Sequence, residues 1–173
     1  MIFNVNMNTF ATIVPAIQFR RVMYYSIQLE DSESSLFLEF INNHTADEYA
    51  EPLSLIRSWI RKIGDEIGAH ERYFRFEGFR GGDARAFPPP SRYLDIECDL
   101  RLYCMRINQN IVILFGGAKK TAQTAQDCDS VRPHFLLANK LTRIIDQALR
   151  DGDIQIDEDA GTLIFPKDLT LPL

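Results

Sequence analysis

Four cations and a tyrosine lie within twenty residues of one another: Arg101, Tyr103, Arg106, Lys119 and Lys120. Arg offers a planar fork of donors to an anion, and Lys a compact point charge. Their spacing places them on a sheet. Leu100, Leu102 and Cys104 alternate with Arg101, Tyr103 and Met105, then a polar turn at Asn108–Asn110 leads into the apolar run Ile111–Phe115. That is the pattern of a half-buried strand turning into a fully buried one. The open face of the first strand then carries Arg101, Tyr103 and, past a shift in the pattern, Arg106. Gly116-Gly117 ends the second strand, and Lys119-Lys120 leave it. The result is a cationic surface on a rigid support.

Other elements must hold that surface in place. Val22–Glu30 is rich in β-branched and aromatic residues and reads as a strand. Leu36, Phe37, Phe40 and Ile41 fall at helical spacing behind Asp31 or Ser32 as an N-cap. Glu51-Pro52 opens a second helix, with Leu53, Ile56, Ile60, Ile63 and Ile67 on one face and Trp59 at its edge. Gly68 stops it. Tyr73–Glu77 and Tyr93–Glu97 read as short strands, with a loop over 78–90 between them. A helix runs from Pro133 to Arg150, stopped by Gly152. Two short strands flank Asp157–Gly161. Helices on one side of an antiparallel sheet make an α+β domain.

The chain of 173 residues suits one domain with a modest extension. Its net charge is −5, but the distribution is uneven. Residues 57–120 carry twelve basic and eight acidic side chains, a basic island between acidic flanks. Phosphate binding follows local potential more than total charge. The longest uninterrupted apolar run is too short to span a membrane, and the N-terminus lacks the charge order of a secretory signal. Three cysteines without metal-ligand spacing read as reduced thiols used for packing. A cytoplasmic location is therefore expected.

The order of elements, together with LRLYCMRINQNIVILFGGAKKT, resembles the RelE/ParE toxin superfamily of bacterial toxin–antitoxin systems. The carrying residues are Arg101-Leu102-Tyr103, the Asn108–Asn110 turn, Ile111–Phe115 and Gly117–Lys120. The resemblance spans about 22–150, leaving 1–21 as an N-terminal arm and 151–173 as a C-terminal β-hairpin extension. It implies a twisted antiparallel sheet with an N-terminal helical hairpin packed on it, a C-terminal helix and the appended hairpin. It also implies an endoribonuclease acting on ribosome-bound mRNA without a metal or other cofactor, restrained by an antitoxin protein. The RNA 2′-OH is the nucleophile in such a reaction. Arg101, Lys119 and Lys120 match the residues placed against the phosphate. Tyr103 is positioned to stack on a base, and Arg106 to hold backbone. Family members often carry a Tyr or His just after the basic pair, where this chain has Thr121, Gln123 and Thr124. His134 is the nearest candidate. That departure keeps open a non-catalytic protein-binding module of the same fold, gyrase-poison-like or inert.

Other constellations are weaker. Gly116-Gly117 before Lys119-Lys120 lacks the spacing of a phosphate-binding loop. Asp95, Glu97 and Asp99 share one face of an expected strand. They read as a solvent-facing or salt-bridged row, because further oxygen ligands for a metal are not evident.

Overall fold

The hairpin at the centre forms where the alternation places it. In a computed structural model, β5 (Leu100–Asn108) and β6 (Ile111–Lys119) pair antiparallel around Gln109-Asn110. Asn108 closes the turn by accepting the Asn110 N–H on its side-chain oxygen at 2.8 Å. The structure describes residues 10–77, 84–122 and 128–173.

Around this hairpin lies a seven-stranded sheet. The chain enters through β1 (Phe10–Gln18) and β2 (Met23–Leu29), an antiparallel pair. Two short strands, β3 (Arg75–Phe76) and β4 (Arg85–Phe87), add to the free edge of β5, and β9 (Leu171–Pro172) adds beside β1. The order is β3-β4-β5-β6-β2-β1-β9. Separately, β7 (Gln155–Asp157) and β8 (Thr162–Ile164) form the expected C-terminal hairpin.

Among the described residues, three α-helices pack on this sheet: α1 (Leu36–Asn42), α2 (Ala50–Lys62) and α3 (Arg132–Asp151). Ser35 caps α1 by accepting from the Leu38 N–H. The α2 stripe Leu53, Ile56 and Ile60 is buried against Leu100, Leu102, Cys104, Val112 and Leu114. The Tyr24 hydroxyl pins it by donating to the Ile60 carbonyl at 2.9 Å. On the opposite face, α3 buries Phe135, Ala138, Leu141 and Ile145 against Tyr103, Met105, Ile111, Ile113 and Phe115.

These facts correct the expected fold. The sheet is mixed, because β2 runs parallel to β6. The expected N-terminal helical hairpin is replaced by a β-hairpin, β1–β2, ahead of a two-turn α1. The layering differs too, with α2 and α3 covering opposite faces. Tyr93–Glu97 is not a strand: Ser91–Tyr93 forms a single 3-10 turn, and irregular chain follows to Asp99. Gly116-Gly117 lies inside β6 rather than beyond it. There two residues, Phe115 and Gly116, oppose Tyr103 alone, so the register shifts by one.

Candidate functional site

The site begins with a close approach of backbones. A Cβ on Gly117 would lie 1.7 Å from the Arg101 carbonyl oxygen. Only glycine lets β6 come this near to β5, and the contact fixes where Arg101 leaves the sheet. Arg101 lies on the α3 side of β5, at the strand's first turn of pleat, and is 7% exposed. Its Nη1 donates to the carbonyls of Cys98 at 2.7 Å and Leu100 at 3.2 Å. Its Nε donates to Glu77 Oε1 at 2.6 Å.

Glu77 is the residue that makes this a site. It follows β3 and is 3% exposed. Lys120, just past β6, reaches its other oxygen, Nζ to Oε2 at 2.8 Å. The Lys120 N–H is held by the Asp99 carbonyl at 2.7 Å. Two cations thus grip one carboxylate, and the trio carries net positive charge in a desolvated position. Removing Glu77 would leave two cations without their anion, a loss of about 3–5 kcal/mol in comparable buried pairs, whereas removing one cation leaves the other paired with Glu77. Arg75 stands beside them, donating to the carbonyls of Pro88 at 3.2 Å and Pro89 at 2.8 Å. Burial, and then the charge of Arg101, lowers its guanidinium below the usual arginine value.

Arg75, Arg101 and Lys120 line a cleft of about 800 Å³, with the 94–99 segment as its wall. Asp95, Glu97 and Asp99 lie on that wall and are exposed. Among the described residues, no three His, Cys, Asp or Glu side chains group as metal ligands.

The other residues singled out by sequence are placed elsewhere. Lys119 is half exposed and sits 3.8 Å from Asp99, apart from Glu77. Tyr103, expected on an open face, is fully buried under α3, its ring 5.7 Å from Phe135. Its hydroxyl has no hydrogen-bond partner among the described residues, and burial raises its pKa. Arg106 lies toward the opposite end of β5. It donates to the Ala69 carbonyl at 2.5 Å and lines a separate depression with Arg85, Arg143 and Arg150. His134 packs near Gly116 on the first turn of α3, away from the cleft lining. Thr121 contacts the Cys128 thiol, while Gln123 and Thr124 lie outside the described residues.

Sequence reasoning missed Glu77. The signal was its alternation with Arg75 on the expected short strand, which puts the two on one side of a sheet edge.

A carboxylate held between a guanidinium and an ammonium has definite chemistry. Each oxygen retains a second lone pair, so a hydroxyl that reached it between the two cations would find a proton acceptor there. The cations are already positioned for negative charge developing beside that hydroxyl. Comparison with protein-family models, with curated proteins and with solved structures finds no match to this chain. No helix among the described residues is long and apolar enough to cross a membrane.

Proposed function

We propose that this protein is a toxin-type endoribonuclease that cleaves RNA through its own 2′-OH, with Glu77 as the proton acceptor. The observation that carries the reading is the convergence of Arg101 and Lys120, which line an open cleft, on the two oxygens of Glu77 buried behind them. In this reaction the 2′-oxygen attacks the adjacent phosphorus and gives its proton to Glu77. Arg101 and Lys120 turn from the neutralising carboxylate toward the phosphorane. The P–O5′ bond breaks, and the leaving oxygen takes a proton from solvent at the cleft mouth. The products are a 2′,3′-cyclic phosphate and a 5′-hydroxyl. The resemblance to RelE/ParE toxins supports the same assignment for Arg101 and Lys120, and it brings an antitoxin as the expected partner and ribosome-bound mRNA as the expected substrate. Incubation of purified protein with RNA, alone and on ribosomes, tests it through the chemistry of the new ends. Intact RNA in both settings refutes it.

A second reading is favoured by a different surface. Ile17, Phe19, Phe37, Leu38 and Ile41 floor an apolar groove of about 640 Å³ between β1, α1 and α2, and Leu38 is 48% exposed. Arg57, Arg61 and Lys62 rim it. An apolar floor with a cationic rim suits an amphipathic acidic helix of a protein partner. If the protein binds without cutting, this groove is where binding occurs. A Leu38→Glu variant that keeps full affinity for a co-purifying acidic partner excludes it.

A further inference from the structure

One surface lies outside both the cleft and the groove's apolar floor. At the end of α2, Trp59 meets Tyr73 and Tyr93, which sit on two short 3-10 turns, Glu71–Tyr73 and Ser91–Tyr93. The ring centroids are 5.9 Å apart for Trp59–Tyr73, 5.2 Å for Tyr73–Tyr93 and 6.4 Å for Trp59–Tyr93. All three rings are partly exposed. Each carries a cation over its face: Lys62 on Trp59 at 4.8 Å, Arg72 on Tyr73 at 4.9 Å and Arg92 on Tyr93 at 4.9 Å. The three rings come from separate segments of the chain, and their partial burial leaves ring surface open to a ligand.

The patch also adjoins the cleft. Ser91 and Leu94, on either side of Arg92-Tyr93, line its wall, and Arg75 lies two residues beyond Tyr73. Partly exposed aromatics interleaved with exposed cations are the elements with which proteins hold single-stranded nucleic acid without reading its sequence. Every base has a π-face to stack, and the cations pair with the phosphates between bases. Lys62, Arg72 and Arg92 are all exposed, so each can leave its ring for a phosphate when a base takes its place, Arg72 giving up its 3.1 Å hydrogen bond to the Tyr73 hydroxyl to do so. Stacking of a base is the stronger contact, because an exposed cation–aromatic pair is largely hydrated.

We infer that Trp59, Tyr73 and Tyr93, with Lys62, Arg72 and Arg92, form a stacking platform for single-stranded RNA beside the Glu77 cleft. The inference rests on the RNA reading for where the strand continues, but its own test does not need cleavage. Trp59 is the chain's one tryptophan, so its fluorescence reports this patch alone. A short 2′-O-methyl oligouridylate, whose blocked 2′-oxygen prevents reaction, is titrated into the full chain. Saturable quenching is expected, and an equally charged polyphosphate should bind the cations without comparable quenching. Tyr93→Leu should weaken binding about 5- to 100-fold, the range for losing one stacked base, while Tyr93→Phe keeps it. Arg72→Gln and Arg92→Gln, at exposed positions that leave the fold intact, should each lower the slope of log affinity against log salt by about 0.7.

Equal quenching by polyphosphate, or unchanged affinity in both Tyr93→Leu and the Arg72/Arg92 double variant, overturns the platform. Quenching by the oligouridylate together with intact cleavable RNA overturns the Glu77 chemistry and leaves the platform standing. Cleavage without any quenching does the reverse.

Discussion

Gly117→Ala should damage this protein far more than Gly116→Ala, although the two glycines are neighbours on one strand. The added methyl at 117 would lie 1.7 Å from the Arg101 carbonyl oxygen, 2.7 Å from the Arg101 carbonyl carbon and 3.0 Å from the Leu102 Cα. All three are backbone atoms of a central strand, so no side chain can swing away. Carbon and oxygen come to rest at about 3.3 Å, so β5 and β6 must open by roughly 1.5 Å. Opening loosens two or three ladder hydrogen bonds at about 1 kcal/mol each, and overpacking adds about 1–3 kcal/mol. The expected loss is about 3–6 kcal/mol, a large part of the stability of an ordinary domain. At 116 the methyl meets the His134 ring, Nδ1 at 3.1 Å. That ring is a side chain and can rotate, and alanine restricts the unfolded chain, so the net change should stay within about 1 kcal/mol. Urea unfolding followed by circular dichroism measures both. The same opening pulls Arg101 from Glu77, so Gly117→Ala should lose the proposed RNA cleavage even at temperatures where it remains folded. A Gly117→Ala protein within about 1 kcal/mol of the parent, or a Gly116→Ala protein that is the less stable, refutes the close-approach argument.

Three further outcomes follow from the same contacts. Lys120→Ala should lower the proposed RNA cleavage by about 10²-fold or more, as for removal of one preorganised donor, whereas Lys119→Ala should change it only slightly, since Lys119 pairs in solvent with Asp99; single-turnover rates on one RNA compare them. Tyr103→Phe should leave stability unchanged or raise it by about 1 kcal/mol, because it removes a buried hydroxyl without a partner among the described residues, and thermal unfolding checks it. Burial, and then the nearby His44, hold the His134 pKa below 6.5, with Glu39 opposing them. The folded state therefore takes up this proton later than the unfolded state. Stability should fall as pH drops below about 6.5 and level off once the folded pKa is passed. His134→Gln should flatten that part of the pH profile in urea titrations.

What was legible in the chain was local. Alternation over Leu100–Met105 and the Asn-rich turn located β5 and β6, and the isoleucine spacing located α2. What could not be read depended on partners far along the chain. Glu77 precedes Arg101 by 24 residues, and the pairing of β3 with β4 and of β4 with β5 brings the residue after β3 to it. β4 itself is three residues long ahead of a proline run, too short for a pattern. β1 contains Pro15 and a register shift between Pro15 and Ile17, which hides its period. Tyr103 was ambiguous because Tyr and Met suit either an open or a covered face; α3 decides it, and nothing on β5 announces α3. The parallel pairing of β2 with β6 has no mark in either strand.

Glu77 is proposed to remove the proton of an RNA 2′-OH. It is tested most directly by mapping the ends made by the parent protein and by Glu77→Gln, on RNA and on the same strand with one 2′-deoxy sugar at the cut position. Expected are 2′,3′-cyclic phosphate and 5′-hydroxyl ends from the parent protein, no cut at the deoxy position, and a rate lower by about 10²- to 10⁴-fold in Glu77→Gln, with affinity for 2′-O-methyl RNA retained. Cutting at the deoxy position, 3′-hydroxyl ends, or a Glu77→Gln protein as fast as the parent would contradict it.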